Sequence, residues 1–259
     1  MLLGVNIDHI AVLREARRIN DPDPLDALGI VKRAGADQIT IHLREDRRHI
    51  HDEDAKRIVA LSPLPVNLEC AMAPEMLKIA TTLLPHRVTL VPEKREEVTT
   101  EGGLDVEGYF DGLKEAVKLL QTHGIEVSLF IDPTPEAVRL SQALHVEWVE
   151  LHTGAYANLY AMLYGNLANS HHSIKALELP RSELKNNLLA SLKALEEAAK
   201  LGTSLGLRVA AGHGLNYQNV ETIARMRAIE ELNIGQSIIA RSVFTGLEEA
   251  IVRMRELVR

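Results

Sequence analysis

The chain has 259 residues, a formal charge of −7 and a pI near 5.9, which argues against a nucleic-acid partner and makes any cationic patch a local one suited to a small anion. Hydrophobic residues make up 46% and charged residues 25%, a balance that excludes disorder and supports a substantial core. The single cysteine, Cys70, excludes an internal disulfide. With no apolar run of membrane-spanning length and no secretory signal ahead of the first strand-like segment, a cytoplasmic setting is expected.

In chain order, LLGVNI (2–7) reads as a first strand. QITIHL (38–43), PVNLEC (65–70), RVTLVP (87–92), EVSLFI (126–131), WVELHT (148–153), RVAAGH (208–213) and ELNIGQ (231–236) follow it as further short apolar runs of strand length. Helical patterns lie between them. Asp23-Pro24 supplies an N-cap and a first helical position, and Gly35 ends that helix. VEGYFDGLKEAVKLLQTHG keeps a helical period and stops at Gly124, and Thr134-Pro135 starts another helix. Thr245 and Glu248 stand in capping-box spacing before a last helix whose stripe is Leu247, Ala250, Ile251, Met254, Leu257 and Val258. Eight strand–helix alternations predict an α/β fold, a (β/α)8 barrel spanning residues 1–259 as one domain. An open doubly wound sheet would call for a glycine-rich turn after the first strand, where this chain reads DHIAVLREARR. An extended segment at about 155–181 breaks the rhythm after strand 6. Tyr156, Tyr160 and Tyr164 are spaced there to share one helix face, against the barrel or against another subunit.

Active sites of such barrels form at the C-terminal ends of the strands. Polar residues collect at those ends here: Asn6, Asp8 and His9; His42 and Arg44; Glu69; Glu93, Lys94 and Arg95; Asp132; His152; His213; Asn233 and Gln236. Burying them together without use would cost several kcal/mol. His42, Glu69 and His213 are the candidates for proton transfer; a structural ion pair with an arginine is the alternative for Glu69. Arg44, Arg47, Arg48 and His49 after strand 2, with Arg14, Arg17 and Arg18 after strand 1, read as phosphate contacts or as a solvated basic loop. GHGLN (212–216) and IGQSIIARSVF (234–244) offer a second anion site on backbone N–H groups. Two anion sites suit two phosphorylated substrates, or one substrate with two phosphates. VPEKREEVTTEGGLD (91–105) is a lid or a mobile surface loop. Asp8-His9 stands where metal-dependent barrel hydrolases carry His-x-His, so no metal site is expected, and Lys94 is poorly placed for a Schiff base.

Taken together, GVNIDHIA (4–11), AGADQITIHLREDRRHI (34–50), NLE (67–69), the 91–105 segment, VSLFID (127–132), HTG (152–154), AGHGLNY (211–217) and ELNIGQSIIARSVFTGL (231–247) make the chain resemble the pyridoxine 5′-phosphate synthase family of vitamin B6 biosynthesis, nearly end to end. The resemblance implies a TIM barrel with additional helices, a homo-octamer and no cofactor. It also implies a transferase-type ring closure of 3-amino-2-oxopropyl phosphate with 1-deoxy-D-xylulose 5-phosphate, giving pyridoxine 5′-phosphate, phosphate and water. It makes His42 and Glu69 proton acceptors and His213 the proton donor. Asp8, His9, Arg44, His49 and Thr99 would contact deoxyxylulose phosphate, and Asn6, Arg17, Gly214, Gly235 and Gln236 the aminoketone phosphate. Gln236 replaces a histidine usual in the family, and segment 155–181 is longer than usual. A sugar-phosphate epimerase or isomerase and a non-catalytic phosphometabolite-binding protein are the competing readings.

Overall fold

A computed structural model describes residues 1–93 and 102–259. Eight parallel strands close into a barrel in sequence order: β1 (Leu2–Asn6), β2 (Gln38–His42), β3 (Val66–Cys70), β4 (Arg87–Leu90), β5 (Glu126–Ile131), β6 (Trp148–His152), β7 (Arg208–Gly212) and β8 (Glu231–Ile234). The described residues form α-helices α1 (Asp8–Glu15), α2 (Ala27–Arg33), α3 (Asp52–Leu61), α4 (Pro74–Leu83), α5 (Phe110–Thr122), α6 (Pro135–Ala143), α7 (Gly154–Tyr164), α8 (Arg181–Ser204), α9 (Val220–Ala224), α10 (Gln236–Thr245) and α11 (Leu247–Leu257). All eight expected strands are present, and most stop a residue or two early, which leaves their polar ends in the loops. No helix among the described residues is long and apolar enough to cross a membrane.

Alternation along each strand sends one set of side chains outward to the helices and the other into the barrel. The outward set is apolar: Val5, Ile39, Leu68, Val88, Leu129, Val149, Val209 and Leu232 are fully buried under helix residues such as Ala11, Ile58, Met76 and Leu120. The inward set is largely polar. Arg87 pairs with Glu231 at 2.8 Å and lies 3.6 Å from the Trp148 ring centre. Asn233 Nδ2 donates to Glu150 at 2.8 Å, and Thr89 Oγ1 donates to Asn67 at 2.8 Å. Buried polar groups carry little penalty only when paired in this way.

Three helix expectations need correction. Residues 8–15, read as a turn, form α1, with Asp8 in its first turn and Ala11 and Arg14 buried. Asp23 caps only a short 3-10 turn, Pro24–Asp26, which leads into α2; Gly35 does follow that helix, with φ +87°. Thr245 closes α10 rather than capping α11: Gly246, with φ +80°, separates the two helices, so the box spacing never acts as a box. In the 155–181 segment the tyrosine stripe does lie on α7, with ring centres 6.0 and 5.0 Å apart. Tyr156 and Tyr160 hydroxyls donate to the carbonyls of Asn219 and Gln218, which ties α7 to the connection after β7. Tyr164 is exposed.

Candidate active site

A cavity of about 280 Å³ opens at the C-terminal mouth of the barrel, its polar wall made by Asn6, His9, Glu69, Glu150, His213, Gly214, Asn233, Gly235 and Gln236. Val91, Phe130, Leu215 and Ile234 supply its apolar wall.

The β1–β3 side carries an acid-base cluster. Parallel register sets His42 beside Glu69. His42 Nδ1 lies 3.8 Å from Glu69 Oε2, and its Nε2 lies 2.8 Å from Glu93 Oε1. The His42 N–H donates to Asp8 Oδ1 at 2.9 Å, while Asn6 and Asp8 exchange two hydrogen bonds of 2.9 Å. Burial pushes Asp8 up to about 6, against the pull of His42 and of the N–H and amide donors. Burial also lifts Glu69 well above the carboxylate range, and Glu150, Asp8 and Glu93 add like-charge repulsion. No arginine pairs with Glu69 among the described residues; its nearest ionisable partner is His42. Burial opposes ionisation of Glu93 as well, but the His42 hydrogen bond and charge, the Glu45 N–H and Arg44 outweigh it and hold Glu93 below its ordinary value.

The β5–β7 side carries a second cluster. His213 sits at φ +83° just past β7, its carbonyl and that of Gly212 within 2.6 and 2.7 Å of the Thr153 hydroxyl. Its ring centre is 5.0 Å from that of His152. The His152 Nδ1 is 3.1 Å from Asp132 Oδ1. Burial, reinforced by the His152 charge, pushes His213 down to about 4. Gly154 leaves room for this pair, since a Cβ there would fall between the His152 and His213 rings.

The third wall suits an anion. Gly235 and Gln236 open α10, and the N-terminal end of a helix favours negative charge. Gly235 approaches Asn6 so closely that a Cβ would sit 2.8 Å from the Asn6 Cβ. Gly214 takes φ +78°.

A family model described as "Pyridoxal phosphate biosynthesis protein PdxJ" matches residues 3–259. The chain belongs to the PdxJ family. It is 65% identical over 259 residues to the pyridoxine 5′-phosphate synthase of Aliarcobacter butzleri (strain RM4018), covering 100% of this chain and 99% of that protein. It is 68% identical over 257 residues to the protein of that name from Sulfurovum sp. (strain NBC37-1), covering 99% and 100%. Among solved structures it is similar in fold to 3-hexulose-6-phosphate synthase, with TM-score 0.61, 14% identity and 100% of both chains covered. It is likewise similar to phosphoribosyl anthranilate isomerase from Thermococcus kodakaraensis, with TM-score 0.58, 13% identity and coverage of 100% and 98%. At such identities these likenesses show the barrel alone.

In this PdxJ-family barrel, Asn6, His9, Glu69, His213, Gly214, Gly235 and Gln236 meet in the cavity wall. Asp8 and His42 adjoin it through the bonds above. His49 stands behind His42, ring centres 6.2 Å apart. Burial, with the charges of His42, His9 and Arg44, pushes His49 down to about 3, and its Nδ1 accepts the Ile50 N–H. Burial lowers His9 also. Arg44 is buried, 3.5 Å from Asp46. Arg17 is exposed beyond α1 and does not line the cavity. Thr99, Lys94 and Arg95 lie outside the described residues, as does most of segment 91–105.

The arginine-rich loops are mostly self-neutralised rather than aimed at an anion. Arg14 grips Asp54 through two bonds of 2.9 and 2.7 Å and donates to the His49 carbonyl. Arg47 pairs with Asp52 and Glu75, and Arg48 with Asp46. Sequence reasoning missed Glu150, which is 3% exposed in mid-barrel. Burial and the Glu231 charge, against the Asn233 bond and Arg87, push it up to about 7. The period-2 run Trp148, Glu150, His152 is the signal that could have found it.

Proposed function

We propose that this chain is a pyridoxine 5′-phosphate synthase. It condenses 3-amino-2-oxopropyl phosphate with 1-deoxy-D-xylulose 5-phosphate and releases pyridoxine 5′-phosphate, phosphate and water, with no cofactor. The observation that carries this reading is identity of 65% and 68%, over essentially the whole chain, to two relatives of that name. The same reading takes residues 1–259 as one domain, working in the cytoplasm as a homo-octamer.

Ring closure joins an amine to a ketone, eliminates water and one phosphate, and forms a carbon–carbon bond. Each step moves a proton, and acid-base groups on opposite sides of one cavity can serve the steps in turn. In this reading His42 and Glu69 accept protons and His213 donates one. Asn6, Gly214, Gly235 and Gln236 hold the aminoketone phosphate, and Arg17, exposed beyond α1 in the empty site, joins them by swinging towards the cavity mouth. Asp8, His9, Arg44, His49 and Thr99 hold deoxyxylulose phosphate. Support for the donor role comes from electrostatics: burial keeps His213 neutral in the empty site, and an arriving phosphate dianion favours its protonated form.

The test is phosphate release and pyridine-ring formation with both substrates in the presence of a chelator, for wild type and Glu69→Gln. Wild-type turnover that collapses in the variant is expected. Absence of ring formation by wild type, or turnover of the pentulose phosphate alone, would replace this reading with an isomerase or a binding protein.

A further inference from the structure

We propose that Glu93 is the positioning residue of His42: its carboxylate holds the hydrogen of the imidazole on Nε2, which leaves the Nδ1 lone pair facing Glu69 and the substrate. The proposal rests on the reaction assigned above and adds a group to which that reading gives no role.

Glu93 has a side chain only 5% exposed, and both of its oxygens are engaged. Oε1 is 2.8 Å from His42 Nε2, and Oε2 accepts the backbone N–H of Glu45 at 3.0 Å. The second bond stops the carboxylate from turning away, and the His42 N–H bond to Asp8 fixes the backbone beneath the ring. An ionised carboxylate can only accept hydrogen bonds, and a neutral imidazole carries one ring hydrogen. That hydrogen therefore resides on Nε2.

The geometry on the other side completes the argument. Nδ1 lies 3.8 Å from Glu69 Oε2, slightly too long for a direct hydrogen bond and short enough for both groups to touch one substrate proton. Two carboxyl groups shifted in opposite directions thus flank a single imidazole, Glu69 upward by burial and neighbouring like charge, and Glu93 downward, against burial, by His42, the Glu45 N–H and Arg44. When Nδ1 takes a proton, the broken bond's electron pair stays on the substrate and the new imidazolium faces Glu93. The same proton then leaves with a departing oxygen as water, and His42 returns to its starting form. Removing the anion would leave the imidazolium without its partner and release the ring to present either nitrogen.

The experiment compares full-length wild type, Glu93→Gln and Glu93→Ala with both substrates. It also records 15N spectra of histidine-labelled, unliganded protein, with His42 assigned from its loss in His42→Asn. We expect kcat to fall about 10- to 100-fold in Glu93→Gln while KM for each substrate stays near wild type. Formate, and not chloride at equal ionic strength, should restore kcat in Glu93→Ala, which a merely structural loss would not allow. The wild-type His42 signal should be that of a neutral ring protonated on Nε2. A Glu93→Gln enzyme with wild-type kcat, or a wild-type His42 protonated on Nδ1, overturns the proposal. The spectrum decides even if a variant fails to fold. A wild type that makes no pyridine ring would instead remove the reaction, leaving the spectrum to judge Glu93.

Discussion

Glu150→Gln should make the protein more stable in mild alkali and nearly unchanged in mild acid. Glu150 is buried inside the barrel, and its pKa rises from an ordinary 4.5 to about 7. A carboxyl with a higher pKa folded than unfolded binds more protons in the folded state. Its contribution is therefore intact below about 4.5 and falls as pH climbs to about 7, after which the loss is constant. That interval corresponds to about 3 kcal/mol. Glutamine keeps the shape and a carbonyl oxygen for the 2.8 Å bond from Asn233 while removing the charge. For a chain of 259 residues, about 3 kcal/mol moves Tm by about 5 °C. Thermal melts of wild type and Glu150→Gln at pH 5 and pH 8 should show that gain at pH 8 and little at pH 5. Equal shifts at both pH values, or a loss at pH 8, would mean that Glu150 is not a strained buried acid.

Two further outcomes are expected. Arg14→Ala strands the buried Asp54 carboxylate and releases the His49 carbonyl, so urea unfolding should show a loss of roughly 3 kcal/mol; a loss under about 1 kcal/mol would mean that the pair is not holding the loop. Binding of inorganic phosphate at pH 7 should draw protons from solution, because burial holds His213 at about 4 and His49 at about 3 in the empty site and a dianion raises both. Calorimetry in buffers of different ionisation enthalpy measures this uptake, and a binding enthalpy independent of the buffer would refute it.

The barrel was readable because parallel strands covered on the outside by helices need apolar outward residues, and each expected run contains them. The strand-end acids and bases were readable for the same reason: they follow directly where those runs stop. What the sequence hides is pairing. Arg14, Arg47 and Arg48 look like a phosphate cradle until folding brings Asp54, Asp52, Glu75 and Asp46 against them. The α1 helix was hidden because it is short and starts at the turn where site residues were expected. Glu150 was hidden because WVELH reads as a plain buried strand unless its alternation is taken seriously in a barrel whose inside is polar.

Register converts that alternation into chemistry. Ladder pairing places His42 opposite Glu69 across β2 and β3, and His152 opposite Gly212, next to His213, across β6 and β7. A slip of one residue in β3 would turn Glu69 outward among the helices and bring an apolar neighbour inward, so the acid-base cluster and the apolar core depend on the same register. Leu68 and Cys70, both fully buried on the outer face, defend it. Stability of the outer core thus specifies the position of the catalytic candidates, and the cost is carried inside, where the burial that the register imposes pushes Glu69 well above the carboxylate range and Glu150 up to about 7.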